Sequence, residues 1–296
     1  MAASILDGKS IASGIREELK LKTAALKEQG IVPGLGVLLV GDNPASRSYV
    51  TAKERACEET GLFSKEIHLP ASASFQEIMD VIHQFNAAPE IDGILVQLPL
   101  PDSSMEQAVI EAIRPDKDVD GFHPQNVGLM TLGLPAFCPC TPRGVQEILN
   151  RSGIKTDGAN VVVVGRSNIV GRPLVNLLSA KNAAGGNATV TLCHTRTKNI
   201  GDFTRRADII IAAAGRPDTV TAEMVKDGAV VIDVGVNRIE DASKKSGFRL
   251  VGDVDFAGVS QKASAITPVP GGVGPMTITM LLSNTVDAAV KHHTGK

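Results

Sequence analysis

The sequence predicts an α/β fold of two domains, in which helices flank parallel sheets. Its 296 residues are more than one hydrophobic core usually serves, so two domains are expected. Apolar, β-branched runs alternate with helical patterns along the chain, and a run such as residues 161–164 is apolar at every position. Strands of this kind are typical of parallel sheets that are buried between helices.

The elements of the first half follow from periodicity and from helix-start patterns. Ile11, Ile15 and Leu19 share one helical face, and Gly30 ends that helix. Two capping-box patterns, serine followed three residues later by glutamate, predict two further helix starts. The predicted elements are a helix at 7–29, a strand at 35–40, a helix at 46–60, a strand at 67–69, a helix opened by Ser74, a strand at 93–97, and a helix opened by Ser103 that ends near residue 113.

The second half repeats this alternation. Thr141 followed by Pro142 predicts a helix start. The tail at 291–296 is expected to fray and to leave its two histidines, His292 and His293, in solvent. The predicted elements are a helix at 141–153, strands at 161–164, 189–193, 209–213 and 230–234, and a final helix that begins at Gly274-Pro275; the predicted boundaries are 1–140, 141–275 and 276–296.

Composition argues against several classes of function. The formal net charge is −2 and no run of lysine or arginine exceeds two residues, so nucleic-acid binding is not expected. No apolar run is long enough to span a bilayer, and the N-terminus lacks the apolar segment of a signal peptide. The four cysteines form no CxxC pair, so neither a metal site nor a disulfide framework is expected. The chain is therefore predicted to be cytoplasmic.

A glycine-bounded turn follows the apolar strand at 161–164. Gly165 permits a tight turn, and Gly171 permits close approach of backbone, helix and ligand near the start of the next helix. Free N–H groups and the helix dipole at such a start favour a diphosphate. The pattern G-x-S-x-x-x-G therefore predicts a Rossmann-like, dinucleotide-binding domain in the C-terminal half. The alternative is that glycine simply ends the strand.

The residues after the next strand distinguish between the two nicotinamide cofactors. An Asp or Glu at this position usually holds the ribose of NAD, but the strand at 189–193 ends without an acid. Instead, Thr195 and Arg196 follow it, and Arg166 offers a second cation. An arginine fork fits the 2′-phosphate of NADP, so NADP is predicted. The alternative is that Arg196 is an ordinary surface arginine.

A lysine in the helix at 46–60 is a candidate acid–base residue. Tyr49, Lys53 and Cys57 are spaced four residues apart and share one face. A lysine beside Tyr and Cys is less solvated than most, and loss of solvation lowers the pKa of a lysine. The alternative is an exposed helical lysine.

Three further segments carry candidate substrate contacts. Gln97 stands at a strand end, where ligands of open α/β sheets bind; the alternative is that it only caps the strand. A polar turn at 117–122 carries two acids, Asp118 and Asp120. Their spacing could form a cation site, but no further ligands follow, so a single carboxylate facing an amidine-like ligand edge fits better. Pro270 opens a stiff loop with Gly271 and Gly272, which can lie flat against a planar ligand.

Taken together, the motifs resemble those of the bifunctional methylenetetrahydrofolate dehydrogenase/methenyltetrahydrofolate cyclohydrolase family, and the match runs from Leu6 to Lys291. The motifs are Tyr49-Val-x-x-Lys53, Val96-Gln-Leu-Pro-Leu-Pro101, Lys117-Asp-Val-Asp-Gly121, Pro139-Cys-Thr-Pro142, Gly165-Arg-Ser-x-Ile-Val-Gly171 and Pro270-Gly-Gly-Val-Gly-Pro-Met-Thr277.

The resemblance implies that the chain oxidises methylene-tetrahydrofolate with NADP and hydrolyses the methenyl product to formyl-tetrahydrofolate. It also implies a cleft between the domains, a final helix that returns to the first domain, and a homodimer built through the cofactor domain. Tetrahydrofolate derivatives are the expected partners, and binding to nucleic acid or to a membrane is not expected.

The resemblance also implies roles for individual residues. Lys53 would be the key cyclohydrolase residue, Gln97 would orient it, Tyr49 would position the folate, and Asp120 would anchor the pterin ring. The remaining expected contacts are Pro99, Pro270, Gly271 and Gly272 for the substrate, and Gly165, Arg166, Ser167, Ile169, Gly171, Thr195, Arg196 and Val236 for the cofactor.

Three other functions fit parts of this pattern. An NADP-dependent dehydrogenase could act on another small substrate, with Lys53 as its acid–base residue. A dehydrogenase without cyclohydrolase activity is a second alternative, against which Lys53 argues. A nucleotide-sensing module without catalysis is a third, and the combination of Tyr49, Lys53, Gln97 and Asp120 argues against it.

Overall fold

Two parallel sheets, one in each of two units of the chain, form the core of the protein. The computed structural model describes residues 2–181, 185–244 and 247–295. The three-stranded unit comprises Ser13–Cys140 and Ile278–Lys296, and the six-stranded unit comprises Met1–Ala12 and Thr141–Thr277. Parallel strands flanked by helices confirm the predicted fold class.

In the three-stranded unit, the central strand is buried along its whole length. All pairings are parallel, and the strand order is β3 (Phe63–Leu69), β2 (Gly34–Val40) and β4 (Gly93–Val96). Phe85, Ile78 and Ile82 from one helix cover the sheet and are almost fully buried. The elements that lie mainly in this unit are α1 (Gly8–Glu28), β2 (Gly34–Val40), α2 (Pro44–Thr60), β3 (Phe63–Leu69), α3 (Phe75–Ala87), β4 (Gly93–Val96), α4 (Glu106–Ala112), α5 (Pro124–Thr131) and α10 (Val273–Thr294).

In the six-stranded unit, all pairings of the main sheet are parallel. The strand order is β1 (Ser4–Ile5), β11 (Ala265–Ile266), β8 (Val230–Asp233), β7 (Ile209–Ala212), β5 (Asn160–Val164) and β6 (Thr189–Cys193). The chain runs from β5 to β6 on one side and then to β7 on the other. The carboxyl end of β5 is therefore a topological switch point, where such sheets bind ligands. The elements are β1 (Ser4–Ile5), α6 (Cys140–Arg151), β5 (Asn160–Val164), α7 (Gly171–Ser179), β6 (Thr189–Cys193), α8 (Gly201–Thr204), β7 (Ile209–Ala212), β8 (Val230–Asp233), the antiparallel hairpin β9 (Asn237–Glu240) and β10 (Phe248–Val251), α9 (Phe256–Val259) and β11 (Ala265–Ile266).

Of the two predicted capping boxes, one is confirmed and the other is wrong. Ser74 Oγ accepts a hydrogen bond from Glu77 N–H at 3.3 Å, and the Glu77 carboxylate accepts one from Ser74 N–H at 2.7 Å. Ser103 instead lies inside a short 3₁₀ turn that Asp102 caps through Ser104 N–H. The expected partner, Glu106, accepts from Leu100 N–H at 2.9 Å. A neighbouring carboxylate therefore outcompetes the serine as the cap.

The two ends of the chain also differ from the predictions. Ser4–Ile5 pairs in parallel with β11, so the residues before α1 belong to the six-stranded unit rather than to the first predicted domain. The expected fraying of the C-terminal tail is wrong, because α10 continues to Thr294. His292 Nδ1 and His293 Nε2 lie 3.0 and 3.2 Å from Asp92 Oδ1. Contacts with a buried carboxylate thus hold the last turns of the helix.

Candidate active site

A buried lysine–glutamine pair forms the centre of the candidate site in the three-stranded unit. Lys53 on α2 is only 7% exposed, and its Nζ donates to Gln97 Oε1 at 2.9 Å. Gln97 directly follows β4, and its Nε2 donates to Leu98 O at 2.7 Å. That second bond orients the amide so that its oxygen faces the ammonium. The two residues, predicted separately from a helix face and a strand end, are therefore in contact.

Electrostatics couple Lys53 to Asp120. Burial lowers the pKa of the Lys53 ammonium, and the Asp120 carboxylate opposes that shift. Burial likewise raises the pKa of Asp120 to about 6, which the charge of Lys53 opposes. A lysine with a lowered pKa exchanges its proton more readily near neutral pH than a solvated one. The pair therefore combines a proton-transfer group with a carboxylate in the same environment.

The turn that carries Asp120 is built by its two charged neighbours. Lys117 is buried, and its Nζ donates to Phe85 O and Ala88 O at 3.2 and 2.8 Å. Asp118, also buried, accepts from His123 N–H and from Asn126 Nδ2, both at 2.8 Å. These residues hold the backbone of the turn.

Gly121 is required at the end of this turn. Its φ is +75°, and a Cβ there would lie 2.7 Å from Cys138 C and Pro139 N. A side chain would push the turn away from the neighbouring segment, and Asp120 with it.

Sequence reasoning missed Asn284, which braces the same turn from α10. This side chain is 1% exposed. Its Nδ2 donates to Val119 O at 2.7 Å and to Cys138 O at 3.1 Å. Val119 directly precedes Asp120 in the chain, so the bond from Asn284 helps to hold the Asp120 carboxylate.

The predicted helical face changes from exposed to buried along α2. Tyr49 is 41% exposed, whereas Cys57 is fully buried. Burial raises the pKa of the Cys57 thiol to about 12, so this residue packs rather than acting as a nucleophile. Pro99, preceded by a cis peptide bond, is exposed just beyond Gln97. Tyr49 and Pro99 thus present solvent-accessible surfaces in the unit that contains Lys53.

The glycine turn after β5 is closely packed in the six-stranded unit. A Cβ on Gly165, whose φ is +133°, would lie 1.9 Å from Ala213 O, and one on Gly171 would lie 1.9 Å from Gly165 O. Ser167 Oγ accepts from Val170 N–H at 3.2 Å. Gly171 is the first residue of α7, so the turn ends at a helix N-terminus, which suits an anion.

Cations and hydroxyls lie at the same edge of this sheet. Gly165 N–H donates to Cys193 O at 2.9 Å, which holds the ends of β5 and β6 side by side. Arg166, Ser167 and Ile169 are exposed on one of the resulting loops, and Thr195 and Arg196 are exposed on the other. This set of donors, without an acid, fits a phosphorylated dinucleotide.

The other predicted contacts of the six-stranded unit lie beyond β8 and β11. Val236, which follows β8, is 50% exposed. The loop with Pro270 brings Gly271 against α1, where Lys9 N–H donates to Gly271 O at 3.1 Å. A Cβ on Gly272 would lie 2.6 Å from Pro268 O. The glycines therefore allow a loop more compact than side chains would permit.

This unit also contains a cavity of about 460 Å³ beneath the β9–β10 hairpin. Its walls include Asp233, Arg249, Phe256 and Pro268. The glycine turn is not part of its lining. The cavity therefore does not coincide with the candidate cofactor site at the ends of β5 and β6.

The sheet order, the glycine turn and the arginines beside it define a dinucleotide-binding α/β enzyme. Residues 6–120 match the catalytic domain, and residues 139–293 match the NAD(P)-binding domain, of tetrahydrofolate dehydrogenase/cyclohydrolases. The chain belongs to the tetrahydrofolate dehydrogenase/cyclohydrolase family. It is a bifunctional dehydrogenase and cyclohydrolase with an NAD(P)-binding domain.

Individual relatives agree over nearly the whole chain. The bifunctional protein FolD of Syntrophus aciditrophicus is 58% identical, with 98% of each chain covered. The crystal structure of FolD from Campylobacter jejuni has a TM-score of 0.91 and 50% identity, and covers 97% of this chain and 99% of its own. FolD from Trypanosoma brucei, solved with NADP and an inhibitor, has a TM-score of 0.92 and 38% identity, with 98% of each chain covered.

Two further properties concern the described part of the chain. None of its helices is both long and apolar enough to cross a membrane. It also contains no group of three or more His, Cys, Asp and Glu side chains arranged to hold a metal ion.

Proposed function

We propose that the chain oxidises methylene-tetrahydrofolate to methenyl-tetrahydrofolate with NADP and hydrolyses that product to formyl-tetrahydrofolate. The observation that carries this assignment is the buried Lys53–Gln97 pair beside Asp120. Purified protein given methylene-tetrahydrofolate and NADP should form NADPH, and given methenyl-tetrahydrofolate alone should open its ring. Absence of the first reaction would favour a dehydrogenase for another substrate, and absence of the second would favour a monofunctional one.

Asp120 is the proposed anchor of the pterin ring. The edge of that ring carries adjacent N–H donors, which a carboxylate accepts in bidentate fashion. The braces from Lys117, Asp118 and Asn284 support this assignment because they hold the turn that carries the Asp120 carboxylate. The Cys140 side chain also bonds that carboxylate. In the three-stranded unit, Tyr49 would pack against the folate and Pro99 would contact it. The proposed substrate contacts of the six-stranded unit are Pro270, Gly271 and Gly272.

Lys53 is the proposed proton acceptor of the hydrolytic step. Addition of water to the methenyl cation releases a proton, and a lysine with a lowered pKa can take or relay it. The neutral amine is the accepting form, and Gln97 Oε1 holds Lys53 Nζ in place through its 2.9 Å bond. Bound NADP would supply the hydride acceptor of the oxidative step, for which the protein mainly aligns the reacting atoms.

The 2′-phosphate of NADP is proposed to bind Arg196, with Arg166 and Thr195 beside it. We expect Arg196→Ala to raise the KM for NADP about tenfold and to leave the KM for NAD almost unchanged, because only NADP carries the phosphate. Steady-state dehydrogenase kinetics with both cofactors measure this difference. Equal effects on the two cofactors would make Arg166 the better candidate.

A matched control is Arg206→Ala. This arginine is exposed and lies before the amino end of β7, whereas ligands bind at the carboxyl ends of the strands. Its loss should change neither KM. The remaining proposed contacts with the cofactor are Gly165, Ser167, Ile169, Gly171 and Val236.

We also propose a cytoplasmic homodimer that forms through the six-stranded unit. Phe248 and Leu250 are exposed on the β9–β10 hairpin, which favours burial against a second copy. All four cysteines are free thiols, as in a reducing compartment. Light scattering should give twice the chain mass of 31.0 kDa, and Leu250→Glu should shift it toward the mass of one chain. A wild-type mass of 31.0 kDa would contradict the dimer.

A further inference from the structure

A buried carboxylate, Asp253, links two loops of the six-stranded unit. The residue is 0% exposed. Its Oδ2 accepts from Ala214 N–H at 2.6 Å and from Gly215 N–H at 2.8 Å. Its Oδ1 accepts from Asn237 Nδ2 at 2.8 Å. One side chain therefore holds the backbone that follows β7 and the side chain that begins β9.

A second carboxylate holds Asp253 itself. Asp233, the last residue of β8, accepts through Oδ1 from Asp253 N–H and from Gly235 N–H, both at 2.9 Å. Its Oδ2 accepts from Val254 N–H at 3.0 Å. The packing leaves no space here, because a Cβ on Gly235 would lie 2.2 Å from Asp253 Oδ1. The two acids and the glycine between them therefore form one rigid connection.

These loops lie next to the glycine turn. Ala213 N–H donates to Val164 O at 2.8 Å, and Ala213 O faces Gly165 at a distance that excludes any side chain there. The main sheet runs β8-β7-β5-β6, and the proposed phosphate-binding arginine follows β6. A dinucleotide whose diphosphate lies at the end of β5 must therefore extend its other half over β7 and β8.

We propose that Asp253 is a positioning residue for the dehydrogenase reaction, which sets the loops after β7 and β8 against the nicotinamide half of the cofactor. The inference rests on the proposed function, because it requires NADP at this sheet edge. Asp253 acts through Ala214, Gly215 and Asn237. Asp253 belongs neither to the glycine-turn motif nor to the cationic residues beside it.

The test is Asp253→Asn, assayed for both activities in the full-length protein. An asparagine can still accept from Ala214 and Gly215 N–H, but its Nδ2 would face the Asn237 Nδ2 donor. A flip of the Asn237 amide would give up its 3.1 Å bond to Gly252 O, so the connection between the loops is weakened in either arrangement. We expect kcat/KM for NADP to fall about tenfold, because small misplacements of reacting groups are costly. Hydrolysis of methenyl-tetrahydrofolate is assigned to Lys53 and Gln97 of the other unit, so its rate should stay within about twofold of wild type. Retained hydrolysis would distinguish an effect on cofactor positioning from loss of the fold.

Asp255→Asn is the matched control. This acid lies two residues further along and caps α9 through Gly258 N–H at 3.1 Å, and both activities should stay close to wild type. Should Asp253→Asn fail to fold, Asn237→Ala removes one partner and keeps the carboxylate. That variant should lower kcat/KM for NADP two- to threefold, again without loss of hydrolysis.

Each outcome decides the proposal. A selective loss of NADP-dependent oxidation supports it. A parallel loss of both activities would make Asp253 a purely structural residue, and unchanged kinetics would remove it from the reaction; either result overturns the inference. Failure of the wild-type protein to oxidise methylene-tetrahydrofolate with NADP would instead refute the proposed function.

Discussion

Replacing Lys53 with methionine is expected to abolish the hydrolysis of methenyl-tetrahydrofolate while binding of NADP persists. General acid–base groups contribute about 10²- to 10⁴-fold to a rate, and methionine cannot accept a proton. The loss should therefore appear in kcat. Stopped-flow absorbance of the methenyl compound measures hydrolysis, and calorimetric titration with NADP measures binding.

The local consequences of this substitution can also be followed. Gln97 Oε1 loses its donor, and Asp120 loses the charge that opposes the rise of its pKa. Removing one partner of a buried charged pair is usually destabilising, so the melting temperature should be recorded beside the rate.

A suitable control is Lys65→Met on β3. Its Nζ is 3.8 Å from Glu90 Oε1 at the protein surface, and exposed pairs of this kind contribute little to stability. Both activities should survive. Hydrolysis at the wild-type rate in Lys53→Met would remove Lys53 from the mechanism.

Gly171→Ala is expected to eliminate most NADP-dependent oxidation, about 100-fold in kcat/KM, and to spare hydrolysis. The new Cβ would lie 1.9 Å from Gly165 O and 2.6 Å from Gly165 C, and backbone at such distances must move. Displacement of the turn misaligns the cofactor, and a misplacement of about 1 Å can cost about 10²-fold in rate.

Gly14→Ala is the matched control for this prediction. Gly14 is an interior residue of α1, and a Cβ there would meet nothing within 4 Å. Alanine should stabilise the helix slightly, by about 0.5–1 kcal/mol. NADP affinity and both activities are measured in the two variants. Wild-type affinity for NADP in Gly171→Ala would show that the glycine turn does not hold the cofactor.

Much of the fold followed from local chemistry. The strands β2, β5, β7 and β8 were predictable because apolar residues occupy both of their faces, and such runs have few other stable environments. Helix α5 was missed because eight residues carry too little periodicity to be distinguished from a loop. Strand β3 was predicted too short, since residues 64–66 are polar and their inclusion depends on pairing with β2.

The candidate site likewise has features that the sequence indicates and features that depend on the folded chain. Lys53 and Gln97 were candidates because of their places on a helix face and at a strand end, each with an ordinary structural alternative, and the motifs shared with the family assigned their roles and that of Asp120. The contact between Lys53 and Gln97, and the burial and charges that shift the pKa values of Lys53 and Asp120, required the folded chain. The roles of the individual residues stay predictions until the variants are measured.

Apolar patterning, glycine spacing and chemically distinctive side chains were readable from the amino acids alone, since each acts within a few residues of itself. The residues that hold the site in place could not be recognised from the amino acids alone. Asn284 bonds a carbonyl 165 residues away, and Asp253 bonds backbone 39 residues away. A hydrogen bond between such distant groups leaves no periodic trace along the chain, so only tertiary packing decides which buried polar side chains meet.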